Sequence, residues 1–328
     1  MKICTLCPRN CAVDRKKGER GVCGQTEVLK VARAALHYWE EPCISGKEGS
    51  GAVFFSGCSL HCVFCQNHNI ANGTAGKEIT VERLAEIFLD LQEKKANNIN
   101  LVTPGHFVPQ IVVALERAKG QGLKIPIVYN TSSYENVDTI KRLEGLVDIY
   151  LPDFKYMSSE LSKKYSHAAD YSEVAKAAIA EMVRQTGPAE FMCGEADGTE
   201  NLTESRALTE DMVLVEEDKT IDPVEEGQLL RRGTIVRHLL LPGCTEDAKA
   251  VIRYLYETYG DNIYISIMNQ FTPLEGLKDY PELNRRITED EYDEVVDYAI
   301  DLGVECGFIQ EGDTAEESFI PEFDGEGV

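Results

Sequence analysis

The chain has 328 residues, 43% of them hydrophobic, and its 33 Lys and Arg against 56 Asp and Glu give a formal charge of −23. That acidity opposes nonspecific binding to nucleic acid or to an anionic membrane, because like charge repels phosphate, and no apolar run reaches the roughly 18 residues that a membrane span needs. The start Met1-Lys2-Ile3-Cys4 lacks the layout of a secretory signal, so the expected compartment is the cytoplasm, where grouped cysteines indicate metal or catalysis rather than disulfides. On that reading the Asn-x-Ser/Thr triplets at Asn72, Asn130 and Asn201 are accidental.

In chain order, residues 1–48 form a cysteine-rich module. Cys4, Cys7, Cys11 and Cys23 have the spacing C-x2-C-x3-C-x11-C, with Pro8 beside Cys7 and Gly21 and Gly24 around Cys23, as tight ligand-bearing turns require. Four thiolates can close a coordination shell, and both zinc and iron–sulfur fit. A body at 49–310 follows, with strands expected at Ala52–Ser56, Ile99–Thr103, Ile125–Tyr129, Val147–Leu151, Thr234–Leu241 and Ile263–Met268. Helices are expected between and after them. The first opens at Thr80, read as a capping box with Glu82 one place early, and Leu84, Ile87, Phe88 and Leu91 recur at helical spacing. The others are Pro109–Lys119, Asn136–Leu143, Ser172–Gln185, Glu246–Tyr259 and Glu289–Leu302. Strands alternating with helices imply a parallel sheet. Alternation does not separate an open doubly wound sheet from a partial barrel. An acidic insertion at about 187–230 and an acidic tail at 311–328 are expected to be solvated surface.

Directly after the strand at Ala52–Ser56 stands Gly57-Cys58-Ser59-Leu60-His61-Cys62-Val63-Phe64-Cys65. Three cysteines at C-x3-C-x2-C can hold three corners of an iron–sulfur cube and leave the fourth iron open. Electron-transfer clusters ordinarily use four thiolates, so the missing ligand suggests an iron reserved for a small molecule. A zinc loop completed by His61 or His68 has suitable ligand types but explains neither Phe64 nor the preceding strand.

With Phe64 one residue before the last cysteine, this run resembles the cluster loop of radical S-adenosylmethionine (SAM) enzymes. The resemblance extends from Cys4 to about Glu305 and is similar to the pyruvate formate-lyase-activating-enzyme-like group. Its phrases here are Cys4-Thr5-Leu6-Cys7-Pro8-Arg9-Asn10-Cys11, Gly21-Val22-Cys23-Gly24, His37-Tyr38-Trp39-Glu40-Glu41-Pro42, Ile44-Ser45-Gly46, Tyr150-Leu151-Pro152-Asp153-Phe154-Lys155-Tyr156 and Arg237-His238-Leu239-Leu240-Leu241-Pro242-Gly243. It implies an α/β fold, a partial (β/α)6 barrel behind a small cysteine-rich metal module, with the site at the C-terminal ends of the strands.

The resemblance implies a [4Fe–4S] cluster on Cys58, Cys62 and Cys65, SAM on the open iron, and a second metal, zinc or iron–sulfur, on the N-terminal quartet. Cofactor contacts are expected from Phe64, Thr103, Asn130, Ser132, Asp153, Lys155, Arg237, His238 and Asn269. The family's Gly-Gly-Glu turn is replaced by Thr103-Pro104-Gly105-His106, so its carboxylate is absent there, and Ser133 stands where the group usually has Gly. Asp153 and Lys155, one residue apart, project to one side of a strand, where they suit either the amino and carboxylate groups of SAM or a structural ion pair. Implied partners are an external one-electron reductant such as flavodoxin or ferredoxin, and a protein, peptide or small-molecule substrate, with activation of a glycyl-radical enzyme among the choices. An electron-transfer iron–sulfur protein and a zinc-stabilised binding module are the readings from other classes.

Overall fold

The computed structural model describes residues 3–192, 228–274, 276–310, 321 and 323–328. Among the described residues ten strands form one sheet, which we number β1 (Leu29–His37), β2 (Ser50–Phe55), β3 (Lys77–Ile79), β4 (Ile99–Val102), β5 (Ile127–Thr131), β6 (Ile149–Pro152), β7 (Glu190–Met192), β8 (Leu229–Leu239), β9 (Tyr264–Met268) and β10 (Gly307–Ile309). The spatial order is β10-β9-β8-β6-β5-β4-β2-β1-β3, with β7 paired to β8. From β2 through β10 the neighbours in this order run parallel, while β1 and β3 add an antiparallel flank. The six strands expected from sequence are β2, β4, β5, β6, β8 and β9, and the arrangement is the partial barrel.

Helices connect them: α1 (Pro42–Ser45), α2 (His68–Ala71), α3 (Val81–Glu93), α4 (Val108–Gly120), α5 (Val137–Ile140), α6 (Ser159–Ser166), α7 (Tyr171–Thr186), α8 (Thr245–Tyr259) and α9 (Glu289–Leu302). α3 starts where Thr80 Oγ1 accepts the Arg83 N–H. Glu82 does not make the reciprocal bond to the Thr80 main-chain N–H, so Thr80 is a simple N-cap. The reciprocal box is instead at Thr288 and Glu291, opening α9. The expected helix Asn136–Leu143 is split, its second half a 3-10 turn at Lys141–Leu143.

Strand parity separates the layers. On β5, Ile127 and Tyr129 join the core under α3 and α4, whereas Val128 packs inside the barrel. On β8 and one residue past its end, Val236 and Leu240 face the helices α8 and α9, and Ile235 on β8 faces inward. The same alternation sets which polar residues enter the barrel mouth. Among the described residues no helix is long and apolar enough to cross a membrane.

Of the acidic tail expected at 311–328, residues 321 and 323–328 are described, and residues 311–320 and 322 lie outside the described residues. Residues 323–328 lie along β1: the Gly325 N–H donates to the Ala32 carbonyl at 3.1 Å and the Ala34 N–H to the Glu326 carbonyl at 2.9 Å. Asp324 and Glu326 pair with Arg33, so these acids have cationic partners rather than water alone. The acidic stretch 193–227 lies outside the described residues.

Candidate active site

The strands end at a cavity of about 780 Å³, within the range of small-molecule sites. Cys58, Cys62 and Cys65 all line it, with Leu60 and Phe64 of the same loop. The loop is fixed from several directions. The Val63 N–H donates to the Tyr165 carbonyl at 2.9 Å, and Gln66 Nε2 to the Gln270 carbonyl at 2.9 Å. The Phe64 ring packs against Phe271 and Tyr156, at 6.0 and 6.5 Å between centroids.

Arg9, from the N-terminal module, makes the largest contribution. Its guanidinium donates to the carbonyls of Ser59 (2.8 Å), Leu60 (3.2 Å), Ser166 (3.0 Å) and His167 (2.6 Å), and it lies over the Tyr134 ring at 5.1 Å. One side chain thus holds the loop onto α6. The module also abuts Gly57, whose φ is +93° and where a Cβ would stand 2.5 Å from the Cys23 carbonyl oxygen. Only glycine fits both the conformation and the approach.

Burial pushes the Cys62 thiol up to about 11 despite Lys155 and the Ser166 hydroxyl, which donates to its sulfur at 3.0 Å. Burial likewise pushes Cys65 up to about 12, with Cys58 and Cys62 adding to the effect. Such thiols deprotonate when a metal centre takes the charge. Among the described residues no three Cys, His, Asp or Glu side chains converge as a single ion requires. Three thiol donors on one loop, all lining one cavity, suit three corners of an iron–sulfur cluster.

The same cavity is lined by a buried chain of charge. Lys155 Nζ donates to Asp153 Oδ2 at 2.8 Å. Arg237 Nε donates to Asp153 Oδ1 at 2.9 Å, its Nη1 to Glu40 Oε2 at 3.0 Å and its Nη2 to Asn130 Oδ1 at 2.7 Å. Burial opposes ionisation of Asp153, but Arg237 and Lys155 overcome it and hold the carboxyl below its ordinary value. Burial also opposes the charge on Lys155, and Asp153 with Cys62 outweighs it. The ion pair and the cavity-lining position are therefore both present.

Of the expected contacts, Phe64, Thr103, Asn130, Ser132, Asp153, Lys155 and Arg237 line the cavity. His238 and Asn269 do not, for one reason: parity. With Arg237 and Leu239 inward, His238 points to the helix layer, where Phe154 carbonyl lies 2.7 Å from its Nδ1 and burial lowers it to about 4. With Met268 and Gln270 inward, Asn269 turns away, its N–H donating to Gln310 Oε1 at 2.9 Å. His106 is a buried turn residue, its Nε2 2.7 Å from the Ser56 carbonyl.

A carboxylate does lie against the Thr103–His106 turn, from Glu135, which accepts from Thr131 and Tyr129 but does not line the cavity. Thr103 and Ser133 have φ of +56° and +63°. Ser133 therefore occupies the left-handed conformation that glycine adopts freely, and its hydroxyl donates to the Asp153 carbonyl at 2.6 Å. Sequence reasoning missed Glu40, Glu41 and Trp39 as site residues, although their run had been noticed. Glu40 anchors Arg237. Glu41 lines the cavity, with burial raising its carboxyl and with its Oε2 buried and unpartnered.

In the N-terminal quartet, Cys23 is buried and the other three are half-buried. Burial pushes Cys7 up to about 12, and Cys23 and Cys11 add to it. The four thiols thus share one electrostatic neighbourhood without converging on one point.

Residues 52–192 match the family model of the Radical SAM superfamily. The chain is 26% identical over 309 residues to the uncharacterized protein MJ0674 of Methanocaldococcus jannaschii, an alignment covering 91% of this chain and 74% of that one. Similar solved structures include SuiB of Streptococcus suis bound to precursor peptide SuiA, with a TM-score of 0.46 and 11% identity over 78% of this chain and 46% of SuiB. The chain thus spans less than half the length of SuiB. Another is a domain of pyruvate-formate lyase-activating enzyme from Bacteroides vulgatus, with a TM-score of 0.37 and 12% identity over 62% of this chain and 91% of the domain.

Proposed function

We propose that this chain, whose residues 52–192 match the family model of the Radical SAM superfamily, cleaves SAM reductively at a [4Fe–4S] cluster held by Cys58, Cys62 and Cys65. The observation that carries the reading is three thiols and a buried cation–carboxylate chain lining one cavity. The cluster would supply a single electron to SAM and so yield a carbon radical able to remove a hydrogen atom; that hard chemistry belongs to the cofactor.

The protein's own residues bind, orient and exclude water. Lys155 is placed to donate to a carboxylate, and Asp153 holds its ammonium in place. Asn130, Ser132 and Thr103 offer neutral groups to a ribose or an amine. Phe54, Phe64 and Leu60 give the mouth apolar walls that keep water from a reactive intermediate. Electrons come from an external one-electron donor such as flavodoxin or ferredoxin. The substrate is a protein, a peptide or a small molecule, glycyl-radical enzyme activation being one such reaction. Cys4, Cys7, Cys11 and Cys23 bind a second metal centre, zinc or iron–sulfur.

The test is anaerobic reconstitution with iron and sulfide, followed by quantification of 5′-deoxyadenosine formed from SAM with a low-potential reductant. Cys62→Ala should lose about four irons, one cube's worth, and all SAM cleavage. A Cys62→Ala protein that makes 5′-deoxyadenosine at the wild-type rate would sink the assignment.

A further inference from the structure

β3 covers the outer side of β1 only at Leu29–Val31. Beyond that point, at Ala32–Ala34, residues 323–328 take its place with two main-chain hydrogen bonds. Around them gather cations, on a chain whose net charge is −23. Arg33 pairs with Asp324 at 3.4 Å and with Glu326. Lys77 Nζ donates to the main-chain oxygens of Gly325 (3.1 Å) and Val328 (3.3 Å), and Arg83 Nη2 to that of Gly327 at 3.4 Å. Phe323 packs edge-on against Phe54, 5.4 Å between centroids, and Phe54, Pro321 and Gln310 all line the large cavity. The segment therefore runs from the outer edge of β1 to the cavity mouth.

The pattern it presents is Asp324-Gly325-Glu326-Gly327. The acids meet Arg33, Gly327 stands where the backbones come closest, and Gly325 lies against the Lys77 side chain. Gly325 has φ +82°, and a Cβ there would be 2.8 Å from Lys77 Cε; at Gly327, φ +73°, a Cβ would collide with the Ala34 carbonyl. Strand addition reads no side chains through its main-chain bonds. The alternation of acid and glycine supplies the selection.

We propose that the β1 edge at Ala32–Ala34, with Arg33, Lys77 and Arg83, is a docking rail for an acidic, glycine-alternating peptide strand that leads into the cavity, with residues 323–328 as its resting occupant. This names the substrate class of the proposed enzyme as a peptide, and rests on that reading only for what happens in the cavity. An incoming strand competes with a tethered copy of itself, so the free chain binds it weakly until the tether is released.

The test uses the full chain without SAM or cluster, and a fluorescent synthetic peptide of residues 321–328 as probe. Gly327→Val should expel the chain's own segment and bind the peptide at least about tenfold more tightly than the wild type. Phe323→Ala provides a second release variant should Gly327→Val fold poorly. Adding Arg33→Glu to either should weaken binding about tenfold by replacing attraction with repulsion, and a peptide with Lys at the three acidic positions should not bind. No saturable binding to a folded release variant, or equal affinity for wild type and variant, would overturn the rail and leave the segment a structural brace. Because binding is read without SAM, a chain that docks the peptide but never forms 5′-deoxyadenosine would refute the enzymatic reading alone.

Discussion

Asp153 receives both Lys155 and Arg237, and this makes its two partners unequal when one is removed. Lys155→Met leaves Asp153 paired with Arg237, so the melting temperature should hold while SAM affinity falls about tenfold, the loss of one charge-assisted hydrogen bond. Asp153→Asn leaves the buried Lys155 without its carboxylate and Arg237 with Glu40 alone, and should cost about 3–5 kcal/mol of stability. Calorimetry and SAM titration of the two variants check this; equal melting losses would argue for a structural pair and against a cofactor contact. Glu135 gives a pH signature. Burial raises its carboxyl to about 7 from an ordinary 4.5, so the folded state holds a proton that the unfolded state has released between those values. Its contribution is present below about 4.5 and is lost as pH rises to about 7, up to about 3 kcal/mol. Glu135→Gln should remove that falling component from the stability–pH curve, and superimposable wild-type and variant slopes would contradict it. At this scale the sequence was legible where parity was applied and misleading where it was not. Asp153 and Lys155, paired by alternation, both reach the cavity, whereas His238 and Asn269, taken from strand ends together with their neighbours Arg237 and Gln270, do not line it. Glu40 and Glu41 precede a four-residue helix outside the expected strands, so no strand-end rule could place them.

The cluster loop is irregular, and its shape comes from a neighbour rather than from its own propensities. Arg9 caps four carbonyls drawn from the loop and the end of α6, in the fork geometry only a guanidinium offers. Arg9→Met should leave those carbonyls with water or with nothing, costing about 1–3 kcal/mol. Reconstituted protein should then lose iron faster under a chelator than the wild type, while the main strands stay protected in hydrogen exchange. Iron retention equal to the wild type would show that the loop is held by its other anchors. α3, α4, α7, α8 and α9 were readable because each is amphipathic over several turns, and their ends differ from expectation by only a residue or so. β1, β3, β7 and β10 were not read. Three of them have three residues each, too few for a period, and β1 carries mixed parity around a register shift near Val31 and Arg33.

Across the whole molecule, the N-terminal module and the barrel are bonded as one body: Asn136 and Thr139 of the barrel donate to the Thr5 and Leu6 carbonyls, and Arg15 donates to that of His106. A metal on Cys4, Cys7, Cys11 and Cys23 would thus stabilise a surface that buttresses the barrel. Replacing Cys4 and Cys7 by Ser should lower both metal content and melting temperature, because metal binding in such a module is largely folding free energy, while iron on the Cys58–Cys65 loop persists. Unchanged metal and unchanged melting would remove the second centre. The barrel itself was legible from strand–helix alternation combined with the motif phrases. The docking of residues 323–328 was not, since acidic, glycine-rich sequence reads as solvent-loving until three cations are brought to it from separate parts of the chain.

An open barrel, unlike a closed one, ends in two strands with unsatisfied main-chain groups on their outer sides. Here those strands are β3 and β10, three residues each, and β3 begins Lys77-Glu78. So short and charged a border offers a neighbouring molecule little to pair with. A further stretch of border among the described residues, along Ala32–Ala34 of β1, is covered by the chain itself. Release of that cover for any purpose therefore exposes a sticky edge, and variants that uncouple residues 323–328 should self-associate in light scattering as concentration rises, where the wild type stays dispersed.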